Sequence, residues 1–206
     1  MKTRSRNARG QGKQLRSELI EAAIRLLVEL GNEKPFSMRA LAKEANVSAP
    51  SVYLHFADKT QLFLAVLEKL VEEQIEIRRN AELAAGENSW DKLLAGELAY
   101  AKFALERSGH YMLLYDGRLL RNLDDPKSAA FGKPILHRNT QLIQDIIVKY
   151  PTPRVTDDPL QLALLLWSGI HGIVSLIINK PTIEWPDASV LVKQMALSII
   201  HPYEPE

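Results

Sequence analysis

The sequence predicts an all-α fold, with an N-terminal three-helix unit followed by a larger helical unit, and three observations predict it. Apolar residues recur at helical spacing in one segment after another. Ser and Asp stand where those segments begin, and Gly or Pro where they end. Finally, residues 38–45 and 49–55 form two segments too short to be stable helices alone, yet each carries its own start and stop residues.

The bulk properties fit a globular chain. Its 206 residues can hold one large or two small helical domains. At 46% hydrophobic and 25% charged, the composition is ordinary for a folded domain. The absence of cysteine excludes a disulfide framework and thiolate chemistry, and suits a reducing compartment. The N-terminus is charged and lacks an apolar core, so no secretory signal is read and the cytoplasm is the expected location. The net charge of +1 hides an asymmetry: residues 1–60 carry 11 Lys or Arg against 6 Asp or Glu, whereas the remainder carries 15 against 19.

Residues 1–13, with Lys2, Arg4, Arg6, Arg9, Lys13 and no acid, read as a disordered basic arm. From Leu15 the apolar positions 15, 19, 22, 23, 26, 27 and 30 make a four-turn helix that Gly31 stops. Phe36 closes the loop that follows. Ser37 is placed to cap the helix at 38–45, which points Leu41, Ala42 and Ala45 to one side. Asn46 sits where the chain must turn sharply and tolerates a positive φ. Val47 fills the angle, Ser48 caps the helix at 49–55, and Pro50 falls in its first turn, where a missing amide costs little. That helix buries Val52 and Phe56 and turns Ser51, Tyr53 and His55 elsewhere. Two short helices at a tight turn beside a local excess of positive charge make a helix-turn-helix suited to a DNA groove.

Asp58 and Gln61 begin a long helix of some 25 residues, with Leu62, Phe63, Val66, Leu67, Leu70 and Val71 in period and no breaker before Gly86. Its tilt could carry a signal into the basic unit. Ser89 caps the next helix, read to about Ser108 with Leu93, Leu94, Leu98, Ala101, Phe103, Ala104 and Leu105 inward and Gly109 as the stop. Residues 110–115 are short and aromatic. Asp125-Pro126 starts a further segment that Gly132 and Pro134 kink or restart, running to Tyr150. Residues 160–178 contain no Asp, Glu, Lys or Arg over 19 positions and by length alone could cross a bilayer. Gln161, His171 and the small Ser168, Gly169 and Gly172 favour a protein-covered helix instead. Ser168, Gly172 and Ser175 form a small-residue strip for a close helix crossing, either with a second copy or in the core. A last amphipathic helix carries Ala188, Leu191, Val192, Met195 and Ile199 on one face. The domains are therefore 1–13 (arm), 14–60 (helix-turn-helix), 61–201 (ligand binding and dimerisation) and 202–206 (tail).

The run FSMRALAKEANVSAPSVYLHFADKTQLF resembles the DNA-binding segment of TetR-family transcriptional regulators, which ends in Tyr-x-His-Phe and a lysine, here Tyr53, His55, Phe56 and Lys59. The resemblance covers residues 15–70 and departs from the family at Asn46, where glycine is usual. Trp167-Ser-Gly-Ile-His171-Gly172 is similar to the tryptophan, histidine and glycine pattern of one class of TetR C-terminal domains. The resemblance implies about nine helices, a homodimer closed by the last two, which adds Leu191 and Met195 to the strip, and a ligand pocket in each C-terminal domain. It further implies that Tyr53 and His55 meet DNA backbone or base edges, that Lys59 meets a phosphate, and that Ser37, Arg39, Ser48, Ala49 and Ser51 approach DNA. Tyr53 as a packing residue and His55 as a helix brace are the structural alternatives.

For the pocket, the candidates are Tyr100, Phe103, His110, Tyr111, Tyr115, His137, Trp167 and His171, which together suit a small hydrophobic or aromatic effector. Trp167 and His171, four apart on an apolar helix, could equally be a core pair. No enzyme is read: there is no HExxH, no Gly-x-Ser-x-Gly, and Gly132-Lys133 precedes a proline rather than completing a phosphate loop. Asp124-Asp125 reads as a helix start rather than a cation site, and no metal or cofactor is expected. The expected partners are a palindromic double-stranded operator, the effector and a second copy, with no membrane. The class of protein read is a transcriptional regulator, most simply a repressor released by its effector. The alternative is a helical ligand-binding or scaffold protein whose basic end meets an acidic protein.

Overall fold

The computed structural model describes residues 12–31, 35–115, 119, 132–150 and 158–200. The arm up to residue 11, Asp124, Asp125, Pro126 and the tail at 202–206 lie outside those residues. Among the described residues there are nine helices and no strand: α1 (Gly12–Leu30), α2 (Met38–Glu44), α3 (Ala49–Tyr53), α4 (Lys59–Ala84), α5 (Ser89–Glu106), α6 (Ser108–Tyr115), α7 (Lys133–Lys149), α8 (Pro159–Asn179) and α9 (Ala188–Ile200). The chain forms two compact units, one of residues 1–71 and 112–129 and the other of residues 72–111 and 130–206. The division falls inside α4, so this helix lends its first turns to the first unit and its last turns to the second, while the expected boundary at residue 60 marks only its start.

In the first unit the core is drawn from Leu19 and Ala23 of α1, Leu41 of α2, Val52 of α3, Phe56, and Leu62, Val66 and Leu67 of α4, all essentially inaccessible. Each large apolar side chain so buried contributes about 1.5–3 kcal/mol, which is what holds α2 and α3, at 7 and 5 residues, in place. Phe36 stands edge-on to Phe63 with ring centroids 5.3 Å apart. The start of α4 is a capping box displaced by one residue. The Asp58 carboxylate accepts the Gln61 amide at 2.8 Å, and the Gln61 side-chain oxygen accepts from Ala57 rather than from Asp58 itself.

In the second unit α5 packs on α7, α8 and α9, α7 packs on α8, and α8 packs on α9. Two features depart from the sequence reading. Asn88, not Ser89, caps α5: its side-chain oxygen accepts the Trp90 amide at 2.9 Å, and Ser89 instead donates to Asp145. The helix also ends at Arg107, whose φ of −125° and ψ of 50° break the ladder, so that Gly109 lies within α6 rather than closing α5.

Helix α8, 21 residues long with a mean hydropathy of 1.8 over an 18-residue stretch, has the length and composition to cross a bilayer. One of its faces, Leu162, Ala163, Leu166, Ile170 and Val174, is buried in its own unit. Its packing on α9 is close at Gly169, where a Cβ would stand only 2.6 Å from the Met195 sulfur.

Candidate functional site

Local chemistry positions the helix-turn-helix side chains. Ser37 accepts the Ala40 amide at 3.1 Å, which caps α2. Asn46 adopts the left-handed backbone with a φ of 53°, which turns the chain by the required amount. Ser48 caps α3 by accepting the Ser51 amide at 3.3 Å, and the two hydroxyls lie 2.7 Å apart. With Val52 turned fully inward, Tyr53 is 52% exposed, and Arg39, Ser48 and Lys59 are exposed as well. Ser37, Ala49, Ser51 and His55 are half-buried. Arg39, Ala49, Pro50, Tyr53 and Leu54 line one shallow depression.

Leu54, 84% exposed beside Tyr53, was missed by sequence reasoning. Its signal was an apolar residue off the Val52 face, available for contact with a thymine methyl. Lys59 is the first residue of α4, at a helix N-terminus where the dipole and free amides favour a phosphate.

In the second unit the structure brings three of the pocket candidates together. The Tyr100 hydroxyl lies 2.9 Å from His171 Nδ1, and the Tyr111 hydroxyl 3.4 Å from both ring nitrogens. Trp167 stands edge-on to the same imidazole at 6.5 Å, and Phe103 lies 6.5 Å from His110. His110 Nδ1 is 3.7 Å from a Glu73 carboxylate oxygen. His137 is exposed on α7 and bonds Gln141, apart from this cluster, while Tyr115 is half-buried among residues grouped with the first unit.

Burial holds the His171 pKa below its ordinary 6.5. Between that lowered value and 6.5 the unfolded chain binds the proton that the folded chain refuses, so stability rises with pH through this window and is lost as pH falls through it. Denaturant unfolding between pH 7.5 and 5.5 should therefore show a slope that His171→Gln flattens; an unchanged slope would place the titration elsewhere.

A seam of buried polar residues beside this cluster was not read from the sequence. On α4, Gln74, Arg78 and Glu82 repeat every four residues and are 1%, 5% and 7% exposed. Arg78 pairs with Glu97 of α5 at 2.5 Å and donates to Asn139 of α7 at 3.1 Å, and Asn139 donates to Glu97 at 2.7 Å. Arg138 closes the seam on Glu82 at 2.9 Å. Gly96 makes room, since a Cβ there would stand 3.3 Å from Glu82. The Arg78 guanidinium also lies 5.9 Å from the Tyr100 ring centre, which ties the seam to the Tyr–His cluster.

The dimer candidates divide by geometry. Ser168 is exposed on α8 with Leu160, Leu164, Leu165 and Leu176, and a Cβ at Gly172 would meet nothing within 4 Å. Ser175 and Leu191 are half-buried. Met195 is turned onto Gly169 within the chain, so its visible work is packing α9 on α8.

A capped two-helix turn presenting an exposed aromatic and cations defines a helix-turn-helix protein with a separate helical C-terminal unit. Residues 19–66 match the family of bacterial regulatory proteins, tetR family, and residues 93–197 match the Tetracyclin repressor-like C-terminal domain, so the chain belongs to the TetR family. It is 30% identical over 132 residues to the HTH-type transcriptional activator FasR of Mycolicibacterium smegmatis, a match spanning 64% of this chain and 58% of that protein's length. Its fold is similar to that of a transcriptional regulator from Rhodococcus sp. Rha1, with a TM-score of 0.72, 20% identity and coverage of 92% of this chain and 99% of the other. It is also similar to AibR solved with isovaleryl coenzyme A and operator DNA, with a TM-score of 0.68, 18% identity and coverage of 92% and 100%.

Proposed function

We propose that this TetR-family chain is a cytoplasmic homodimeric regulator that represses transcription from a palindromic operator and is released when a small hydrophobic or aromatic molecule binds its C-terminal unit. It performs no catalysis in this reading. The observation that carries it is Tyr53: a large aromatic left half-exposed, sharing a depression with Arg39 and Leu54, on a helix too short to exist for its own sake. Ser37, Ser48, Ala49, Ser51 and His55 frame that face.

One α3 reads only a few base pairs, so two copies related by a twofold are needed for an operator. The exposed apolar face of α8 around Leu164, Leu165, Ser168 and Gly172 supplies the meeting surface, joined by Ser175 and the exposed parts of Leu191. Tyr100, Phe103, His110, Tyr111, Trp167 and His171 frame the effector site, with Tyr115 and His137 as outlying candidates. AibR, solved with isovaleryl coenzyme A and operator DNA, supports a regulator of this fold that takes both a small molecule and DNA.

Release requires an effector that prefers the dimer whose recognition helices mismatch the groove spacing; equal affinity for both forms would shift nothing. Helix α4, shared between the two units, is the element suited to carry that preference. A second reading, activation, is favoured by the name of FasR. A reporter fused to the DNA upstream of the chain's own gene separates them. Deletion of the gene should raise output; a fall would establish activation, and no change would remove this promoter from its control.

A further inference from the structure

The second unit contains a cavity of about 360 Å3 that borders the buried polar seam: Arg78, Arg79, Lys92 and Arg138 line it, with Glu82 as the sole carboxylate. Its remaining wall is apolar, made by Ile75, Leu83, Pro134 and Ile135. Neither Tyr100 nor His171 is among its lining residues, so this is a different place from the Tyr–His cluster. At that volume it is at the small end of ligand cavities, which run roughly from 300 to 1,000 Å3.

The charges do not balance within it. Arg78 is neutralised by Glu97 at 2.5 Å, and Arg138 by Glu82 at 2.9 Å. Lys92 is paired at 3.0 Å with Glu87, whose side chain is fully exposed, a contact of the kind that contributes little. Arg79 has no ion-pair partner among the described residues. Counting the carboxylates that pair with them, Glu97, Glu82 and Glu87, the four lining cations keep one positive charge in excess, in a cavity whose other lining residues are apolar. The same wall includes Leu83, 67% exposed, an apolar group that an occupant would cover.

We propose that this α4/α5/α7 cavity binds a monoanionic amphiphile: a carboxylate held by the Arg79 guanidinium with help from Lys92, and an apolar body laid along Ile75, Leu83, Pro134 and Ile135. A guanidinium grips a carboxylate in a planar two-bond geometry, and the aliphatic stems of arginine and lysine extend the apolar wall. A neutral amphiphile leaves the surplus charge unpaired, and an amine adds to it. The assignment stands apart from the regulator reading, because binding is measured on the free chain without DNA.

The test is calorimetric titration of the full chain with octanoate, 1-octanol, octylammonium and octyl phosphate. Octanoate should saturate at one per chain, 1-octanol should bind at least about tenfold more weakly, consistent with loss of a charge-assisted bond, and octylammonium should not bind. Arg79→Gln, at an exposed position, should weaken octanoate by about tenfold while leaving the melting temperature in place, and Lys92→Gln added to it should weaken it further. Absence of octanoate binding, equal affinity for 1-octanol, or undiminished binding by the double variant would overturn the site. Tighter binding of octyl phosphate than octanoate would overturn the single-charge assignment.

Discussion

Tyr53→Ala should weaken operator binding sharply while leaving the fold intact. The side chain is 52% exposed, and its neighbour Val52, not Tyr53 itself, carries the burial of α3. Surface truncations of this kind change stability by no more than about 0.5 kcal/mol. Each specific contact to DNA contributes about 1–3 kcal/mol, and the proposed dimer would lose the proposed Tyr53 contact twice, so the affinity should fall by at least about 30-fold. Fluorescence anisotropy with labelled operator reads the loss, and sedimentation and thermal melting read the rest. A parallel collapse of the melting temperature would make Tyr53 a core residue.

The second large effect is expected at Glu97, far from any DNA. Its carboxylate is 2% exposed and satisfies both Arg78 and Asn139. Glu97→Ala leaves a buried guanidinium without its counter-charge, which costs about 3–5 kcal/mol. For a chain of this length that is a melting temperature lower by about 6–20 °C. Replacing the pair together, as Arg78→Met with Glu97→Leu, removes both charges and should cost much less, since an apolar pair of similar volume is close to neutral. Denaturant unfolding of the single and double variants decides: a single variant within 1 kcal/mol of the parent would mean that water reaches Arg78.

These two residues differ in how readily the sequence betrays them. Tyr53 was legible because everything that positions it is local: Ser48 three residues before Ser51, a positive-φ Asn46, and Pro50 in the first turn. Glu97 was not. Periodicity places Leu93, Leu94, Leu98, Ala101, Phe103, Ala104 and Leu105 on the inner side of α5; Leu93, Ala101, Phe103 and Ala104 are buried there, but Leu94, Leu98 and Leu105 are half-buried and Gly96, Glu97 and Tyr100 complete the buried set. A hydrophobic pattern moves away from a carboxylate, and the partners that make its burial tolerable lie 19 and 42 residues off.

The same reasoning covers the smaller departures. Asn88 and Ser89 are both competent caps, and only backbone geometry chooses between them. Gly169 and Gly172 look alike in sequence, yet one faces Met195 and the other open space. Leu54 was passed over because exposed leucine has no periodic signature.

Residues 37–59 should be the part of this regulator that reads DNA sequence. Titration of the full chain against labelled DNA from upstream of its own gene, and against a scrambled duplex, at several salt concentrations tests it most directly. The account predicts a preference of about 10^3 or more for the upstream sequence, and a logarithmic affinity that falls linearly with the logarithm of salt as phosphate contacts release counterions. Equal affinity for both duplexes at every salt concentration, or no binding to either, would contradict it.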